Sequence, residues 1–198
     1  GFVAGVGSDE LIMAIMLGMK DQVDEVVAPG PTFSMYRGIA SICGLNYREI
    51  GLDAKGYPVE SELRMALGNE RALVFLCIPN NPTGTDWEKM ARNMLPGSKA
   101  YVVLDQAYAE FCGSDMNDLA YGKTIVLRTF SKARGLAGIR VGYSISDPET
   151  AKLIISGKLP FNLSSLCEEL AVMALKEDAL MRPNVDGSNK RRSRMAAD

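Results

Sequence analysis

The feature that most constrains the fold is a set of short apolar runs that alternate with helical patterns. Residues 72–78 are wholly apolar, and residues 100–104 form a second apolar run that ends at Asp105. Runs of this length without a polar position are typical of strands covered on both faces of a sheet. Strands that alternate with helices pair as parallel neighbours. The sequence therefore predicts an α/β fold with a mostly parallel sheet flanked by helices.

The same patterns divide the chain into predicted elements and a tail. Apolar spacing predicts helices at residues 8–20, 32–43, 60–67 and 86–95 and strands at 23–28, 46–52, 72–78, 100–104, 124–127 and 140–145. We expect residues 1–180 to form one domain and residues 181–198 to form a polar tail. The tail holds a basic cluster without interleaved aromatic residues, which favours a solvated end over a binding patch. This cluster consists of Lys190, Arg191, Arg192 and Arg194.

Composition narrows the classes of function. The chain has 198 residues, 47% of them hydrophobic, and a formal net charge of -2, which is typical of an ordinary globular protein without a nucleic-acid or membrane partner. It contains no histidine and four scattered cysteines, so we predict no metal site and no Ser–His or Cys–His nucleophile. No apolar stretch reaches the roughly 18 residues of a membrane span, and no signal peptide is evident. These features predict a cytoplasmic protein.

Two glycine-containing segments partly resemble nucleotide-binding motifs. Residues 5–10 begin like a dinucleotide fingerprint, but Glu10 stands where the third glycine belongs. Residues 122–124, Gly-Lys-Thr, resemble the end of a P-loop, yet Asn117 stands where its first glycine belongs. Both departures disfavour a nucleotide site.

Polar segments follow three predicted strands at the point where each strand ends. These segments are residues 79–84 (Pro-Asn-Asn-Pro-Thr-Gly), residues 105–108 (Asp-Gln-Ala-Tyr) and residues 129–140, which begin Thr-Phe-Ser-Lys-Ala. Ligands of open parallel sheets bind outside the carboxyl ends of the strands. We therefore expect the three segments to meet in one crevice.

In this order and at roughly this spacing, the three segments resemble the cofactor-lysine signature of fold-type I, class II aminotransferases, which use pyridoxal 5'-phosphate. Residues 7–12 (Gly-Ser-Asp-Glu-Leu-Ile), 31–36 (Pro-Thr-Phe-Ser-Met-Tyr) and 105–111 (Asp-Gln-Ala-Tyr-Ala-Glu-Phe) look most like the histidinol-phosphate aminotransferase family, and the similarity runs over residues 1–180. The resemblance implies the large cofactor-binding domain of such an enzyme. Family members transfer an amino group between histidinol phosphate and 2-oxoglutarate as homodimers with the active site at the interface.

The resemblance also implies three catalytic residues, Lys132, Asp105 and Tyr108. Lys132 would join the cofactor aldehyde as a Schiff base and later move a proton, since desolvation and nearby cations can make a lysine amine nucleophilic. Asp105 would keep the pyridine nitrogen protonated, which makes the ring an electron sink. Tyr108 and Asn81 would donate hydrogen bonds to the phenolic oxygen of the cofactor.

The remaining cofactor contacts implied by the resemblance hold the ring and the phosphate. Phe33 would stack on the ring. The start of the first helix, at Ser8 and Asp9, would offer backbone donors to the phosphate. Ser131 and Arg140 would complete the phosphate site, with the guanidinium matching phosphate oxygens.

Three of these residues also have a purely structural explanation. Taken alone, Asp105 could cap a helix, Asn81 could form a turn and Phe33 could pack in a core.

Family members are roughly twice as long, with an amino-terminal arm and a small domain that carries the substrate arginine, so the chain resembles a fragment. Gln106 also stands where many relatives carry Glu.

Three hypotheses follow for the activity. The chain is a truncated aminotransferase that uses a small amino donor and a 2-oxo acid, a lyase similar to threonine-phosphate decarboxylase, or a cofactor-binding module without turnover. The cofactor is the same in all three.

Overall fold

A single seven-stranded sheet forms the centre of the computed structural model, which describes residues 1–195. The order across the sheet is β1-β7-β6-β5-β4-β2-β3; β7 pairs antiparallel with both β1 and β6, and the other pairs are parallel. The predicted mostly parallel α/β fold is confirmed. The strands are β1 (Phe2–Gly5), β2 (Glu25–Pro29), β3 (Asn46–Ile50), β4 (Ala72–Cys77), β5 (Tyr101–Asp105), β6 (Thr124–Thr129) and β7 (Gly142–Ile145).

Eight α-helices within residues 1–195 surround the sheet, and two short 3-10 turns lie at Asn117–Leu119 and Ala137–Ile139. In the described part of the chain, none of the helices combines the length and the apolar character that a membrane crossing requires. The helices are α1 (Gly7–Met19), α2 (Met35–Cys43), α3 (Glu60–Gly68), α4 (Glu88–Met94), α5 (Ala109–Cys112), α6 (Pro148–Ser156), α7 (Ser165–Lys176) and α8 (Asp178–Met195).

Strand β4 separates two hydrophobic clusters, one on each face of the sheet. Leu73 and Phe75 belong to the cluster formed with α1, α2 and α6. Val74 and Leu76 belong to the cluster formed with α3 and α4. All six residues of β4 are buried, which explains why this run contains no polar side chain.

Helix α2 begins later than predicted because side chains hold the residues before it. The Thr32 hydroxyl donates to Oδ1 of Asn80 at 2.7 Å, and Nδ2 of Asn80 donates to the carbonyl oxygen of Pro31 at 3.0 Å. These bonds attach the segment before α2 to the loop after β4. Helix α2 therefore starts at Met35 instead of residue 32.

Helix α8 forms although its sequence lacks apolar periodicity and contains Pro183. Side-chain amides attach it to the domain: Nδ2 of Asn189 donates to the carbonyl oxygen of Phe111 at 3.0 Å, and Nδ2 of Asn184 reaches that of Ala133 at 3.5 Å. The domain boundary predicted at residue 180 falls within this helix and stays a prediction. Residues 196–198 of the predicted tail lie outside the described residues.

Helices α1 and α6 approach so closely that a glycine is required between them. A Cβ atom built on Gly18 would overlap the carbonyl oxygen of Leu153. Gly38, in the middle of α2, has open space around the same position. These two helical glycines therefore differ in the room that they leave for a methyl group.

We expect Gly18→Ala to lower the free energy of unfolding by about 2 kcal/mol, because the methyl group would push α6 away from α1. Gly38→Ala serves as the matched control and should raise it by roughly 0.5–1 kcal/mol through helix propensity. Urea unfolding of both variants measures the two effects. Equal effects of the two substitutions would contradict the close helix contact.

A buried polar network links the end of β5 to β6. Oε1 of Gln106 accepts hydrogen bonds from the backbone N–H of Met116 at 3.1 Å and from Nη1 of Arg128 at 3.2 Å. Its Nε2 donates to the Ser114 hydroxyl at 2.9 Å. Nε of Arg128 is buried without a hydrogen-bond partner among residues 1–195. The guanidinium thus faces a neutral amide.

We expect Gln106→Glu to raise the free energy of unfolding by about 1 kcal/mol at neutral pH, since hydrogen bonds between charged groups are stronger than neutral ones. The Ser114 hydroxyl can donate to the new carboxylate instead of accepting. Gln106→Leu leaves the N–H groups of Met116 and Arg128 without this acceptor and should lower the free energy of unfolding. An unchanged or lower urea midpoint for Gln106→Glu would show that Arg128 does not need an anionic partner.

Candidate active site

One cavity of about 220 Å³ lies at the carboxyl ends of β4, β5 and β6. The structure brings all nine residues of the predicted site to its walls. They are Ser8, Asp9, Phe33, Asn81, Asp105, Tyr108, Ser131, Lys132 and Arg140. Parallel pairing produces this meeting, because Cys77 at the end of β4 lies opposite Asp105, and Asp105 lies opposite Leu127 of β6.

Lys132 follows β6 in a turn that its own backbone closes. The N–H of Gly135 donates to the Lys132 carbonyl oxygen at 2.9 Å. Nζ of Lys132 lies 5.2 Å from the centre of the Tyr108 ring, within the range of a cation–π interaction. The amine is therefore held on the side of the cavity where Tyr108 lies.

Asp105 is a buried carboxylate with two internal donors. Its Oδ2 accepts a hydrogen bond from the Tyr36 hydroxyl at 2.6 Å, and its Oδ1 accepts one from the backbone N–H of Ala107 at 3.1 Å. Burial raises the pKa of Asp105 above its ordinary value, while these two donors and the Lys132 charge oppose that rise. Asp9 adds a smaller upward contribution to this pKa.

Asn81 and Tyr108 lie side by side although they come from different loops. Nδ2 of Asn81 is 3.4 Å from the Tyr108 hydroxyl oxygen. Both groups can donate hydrogen bonds into the cavity. Phe33 lies on the cavity wall as a partly buried ring that packs against the core.

A further part of the cavity wall, formed by the start of α1, Ser131 and Arg140, is suited to an anion. Helix α1 begins at Gly7 without a side-chain cap, so the backbone N–H groups of its first turn are open to an anionic ligand. Nη1 of Arg140 lies 3.3 Å from the Ser131 hydroxyl, and Nη2 lies 3.7 Å from a carboxylate oxygen of Asp9. Arg140 adopts a left-handed backbone conformation with φ of 52°. A non-glycine residue in this region marks a position that its surroundings hold in place.

The arrangement fits pyridoxal 5'-phosphate in its chemistry. The uncapped helix start with Ser131 and Arg140 suits a phosphate. The buried carboxylate of Asp105 suits a basic ring nitrogen, because a cation there would offset the cost of burying that charge. Lys132 provides an amine beside the same cavity.

Sequence reasoning missed four residues at or behind the cavity. Cys77, Ala107 and Thr129 line it, and Tyr36 lies behind Asp105. Cys77 and Thr129 are the last residues of β4 and β6, so the same strand-end argument could have found them. Tyr36 had only a weak signal, its position one helical turn after Phe33.

A second cavity of about 260 Å³ adjoins the first and shares Asn81 and Tyr108 with it. Phe111 of α5 and Arg192 of α8 also line this second cavity. Part of the basic cluster in the predicted tail thus lies near the candidate site.

Comparison with known proteins supports this interpretation of the fold. The family model described as aminotransferase class I and II matches residues 2–197. The histidinol-phosphate aminotransferase of Caldanaerobacter subterraneus subsp. tengcongensis is 40% identical over 181 residues, covering 89% of this chain and 51% of that protein. The histidinol-phosphate aminotransferase of Methanopyrus kandleri is 42% identical over 167 residues, covering 82% and 43%.

A solved structure shows the same fold. Histidinol-phosphate aminotransferase from Sinorhizobium meliloti, crystallised in complex with pyridoxal-5'-phosphate, matches with a TM-score of 0.87 and 27% identity, covering 100% of this chain and 56% of that chain. This likeness confirms the predicted fold class. The chain spans about half the length of the curated relatives it matches. It belongs to the class I and II aminotransferase family.

Proposed function

We propose that this chain carries the pyridoxal-phosphate site of an aminotransferase that acts on histidinol phosphate and 2-oxoglutarate in histidine biosynthesis. The observation that carries the proposal is the single cavity in which an amine, a buried carboxylate and an anion-binding end meet. The names of the relatives motivate the choice of substrate. A cytoplasmic location suits this use of small metabolites and belongs to the proposal.

Different residues of this chain would bind different parts of the cofactor. Ser131, Arg140 and the start of α1 would bind the phosphate, and Asp105 would hold a proton at the ring nitrogen. Asn81 and Tyr108 would donate hydrogen bonds to the phenolic oxygen. When bound, the cofactor supplies an aldehyde that reacts with amines and a ring that accepts negative charge from the substrate.

Lys132 has two tasks in this proposal. Its amine would hold the cofactor covalently before substrate binds. Once free, Nζ would take the proton from the substrate α-carbon, and its place in the cavity wall would allow it to reach that atom. Tyr108, whose ring lies 5.2 Å from Nζ, would keep the amine within the site.

We also propose that the protein forms a homodimer. The segment at residues 159–161 and helix α7 expose large apolar side chains, among them Phe161 at 100%, Leu159 at 76% and Leu166 at 68%. Exposed apolar surface of this kind favours association. Light scattering of the purified protein measures the mass, and a monomeric mass at micromolar concentration would contradict the dimer.

The cofactor proposal predicts that the wild-type protein, mixed with pyridoxal phosphate, develops an absorbance band at roughly 410–430 nm that borohydride abolishes. Lys132→Ala should lose the band, because it removes the amine that forms the covalent link. Lys123→Ala is the matched control, since Lys123 is an exposed lysine that binds the Lys99 carbonyl oxygen away from the cavity. A band that persists in Lys132→Ala would assign the link to another amine.

The substrate proposal predicts transfer of the amino group from histidinol phosphate to 2-oxoglutarate, measured as glutamate formed. Lys132→Ala should lower this rate by about a thousandfold or more, because positioned proton transfer and covalent catalysis both depend on Nζ. Release of carbon dioxide from threonine phosphate would instead indicate the lyase. Cofactor binding without conversion of any amino donor would indicate a binding module.

A further inference from the structure

Tyr36 is a buried phenol that touches the candidate site only through Asp105. The side chain is fully buried on α2 and does not line the cavity. Its hydroxyl donates to Oδ2 of Asp105 at 2.6 Å, a short bond of the kind that a phenol makes to an anionic oxygen. Tyr36 can therefore influence the site through the carboxylate of Asp105.

Aromatic packing fixes the direction of this hydrogen bond. The Tyr36 ring stacks on Phe75 of β4 with ring centres 4.7 Å apart, and Phe33 meets its edge at 5.5 Å. Contacts of this kind hold an aromatic ring in one orientation. The phenol oxygen is thus held against the end of β5, where Asp105 lies.

The Asp105 carboxylate is restrained at both oxygens. Oδ1 accepts the backbone N–H of Ala107 at 3.1 Å while Oδ2 accepts Tyr36, so rotation of the carboxylate would break one of the two bonds. Both donors favour the charged carboxylate over the neutral acid.

The other titratable groups that act on Asp105 come from the surrounding elements. They are Asp9 of α1, Cys77 of β4 and Lys132 after β6. Burial raises the pKa of the Cys77 thiol well above its usual range, so it stays neutral. Burial also raises the pKa of Tyr36 far above its ordinary value, so the phenol remains a donor at every pH used below.

We propose that Tyr36 is a positioning residue that fixes the Asp105 carboxylate and keeps it anionic for a cationic ring nitrogen. The pairing of Asp105 with a cationic ring nitrogen rests on the proposed function. The effect of Tyr36 on the charge of Asp105 does not, and it can be measured without a cofactor.

The test is the thermal unfolding of cofactor-free wild type and Tyr36→Phe at about pH 5 and pH 8, with the full chain. Burial raises the folded-state pKa of Asp105 above its unfolded value, so the stability from this group is present at low pH and lost as pH rises. Removing the phenol donor raises that pKa further and enlarges the loss. The melting temperature of Tyr36→Phe should therefore fall below wild type by ~3 °C more at pH 8 than at pH 5.

Two controls separate this effect from a packing defect. In the Asp105→Asn background the carboxylate is absent, so Tyr36→Phe should lower the melting temperature equally at both pH values. Tyr143→Phe is the matched control, because Tyr143 also packs against aromatic rings and no hydrogen bond of its hydroxyl to a carboxylate is found within residues 1–195. An equal deficit of Tyr36→Phe at both pH values in the wild-type background would overturn the proposal, as would a pH-dependent deficit that survives in Asp105→Asn.

A cofactor titration distinguishes failure of this inference from failure of the proposed function. If wild type binds pyridoxal phosphate, Tyr36→Phe should bind it about tenfold more weakly at pH 5, where Asp105 has to lose a proton before it can pair with a cationic ring nitrogen. Unchanged affinity would overturn the positioning role. If wild type binds none while the pH-dependent deficit of Tyr36→Phe is present, the proposed function fails and the control of the Asp105 charge by Tyr36 stands.

Discussion

Parallel pairing of β4, β5 and β6 is the constraint on which the candidate site depends. The register places Cys77 beside Asp105 and Asp105 beside Leu127, so the loops that follow these strands leave the sheet at one edge. Asn81 and Tyr108 are 27 residues apart in the chain and yet 3.4 Å apart at their polar atoms. No local feature of either loop could bring them together. The two buried clusters that hold β4 in the middle of the sheet therefore also determine where the site forms.

The site has unfavourable features that the surrounding fold has to offset. Asp105 is buried with its charge supported by a phenol and one backbone N–H, and Arg140 occupies a backbone region that L-residues seldom adopt. Such features persist where the neighbouring structure over-determines them. Here the neighbours are a wholly buried strand and the tightly packed helices α1 and α6. A rigid frame of this kind lets a polar site keep its geometry before any ligand arrives.

The sequence was most informative where periodicity reflects burial. The unbroken run of β4 identified a strand covered on both faces, and the polar residues at strand ends indicated Asn81, Asp105 and Lys132 as neighbours. The sequence was least informative where tertiary contacts determine the local structure. The start of α2 depends on bonds to Asn80, which lies 48 residues after Thr32. The position of Tyr36 behind Asp105 depends on how α2 packs on β4, and no spacing along the chain encodes that contact. Helix α8 was not predicted for a related reason, because hydrogen bonds from side-chain amides to backbone carbonyl oxygens attach it and leave no apolar stripe in its sequence.

The two adjoining cavities draw their walls from partly different parts of the chain. All nine predicted site residues lie between residues 8 and 140, on α1, on the segment before α2, at the end of β5 and on the loops that follow β4, β5 and β6. The second cavity shares Asn81 and Tyr108 with the first but takes Arg192 from α8, which is attached by side-chain amides. A side chain on a helix attached by a few partly buried side-chain hydrogen bonds can change its position with little effect on the sheet, whereas Asp105 cannot move without disturbing β5. Among the residues that line the second cavity, Arg192 can therefore vary with little effect on the first cavity, whereas Asn81 and Tyr108 belong to both.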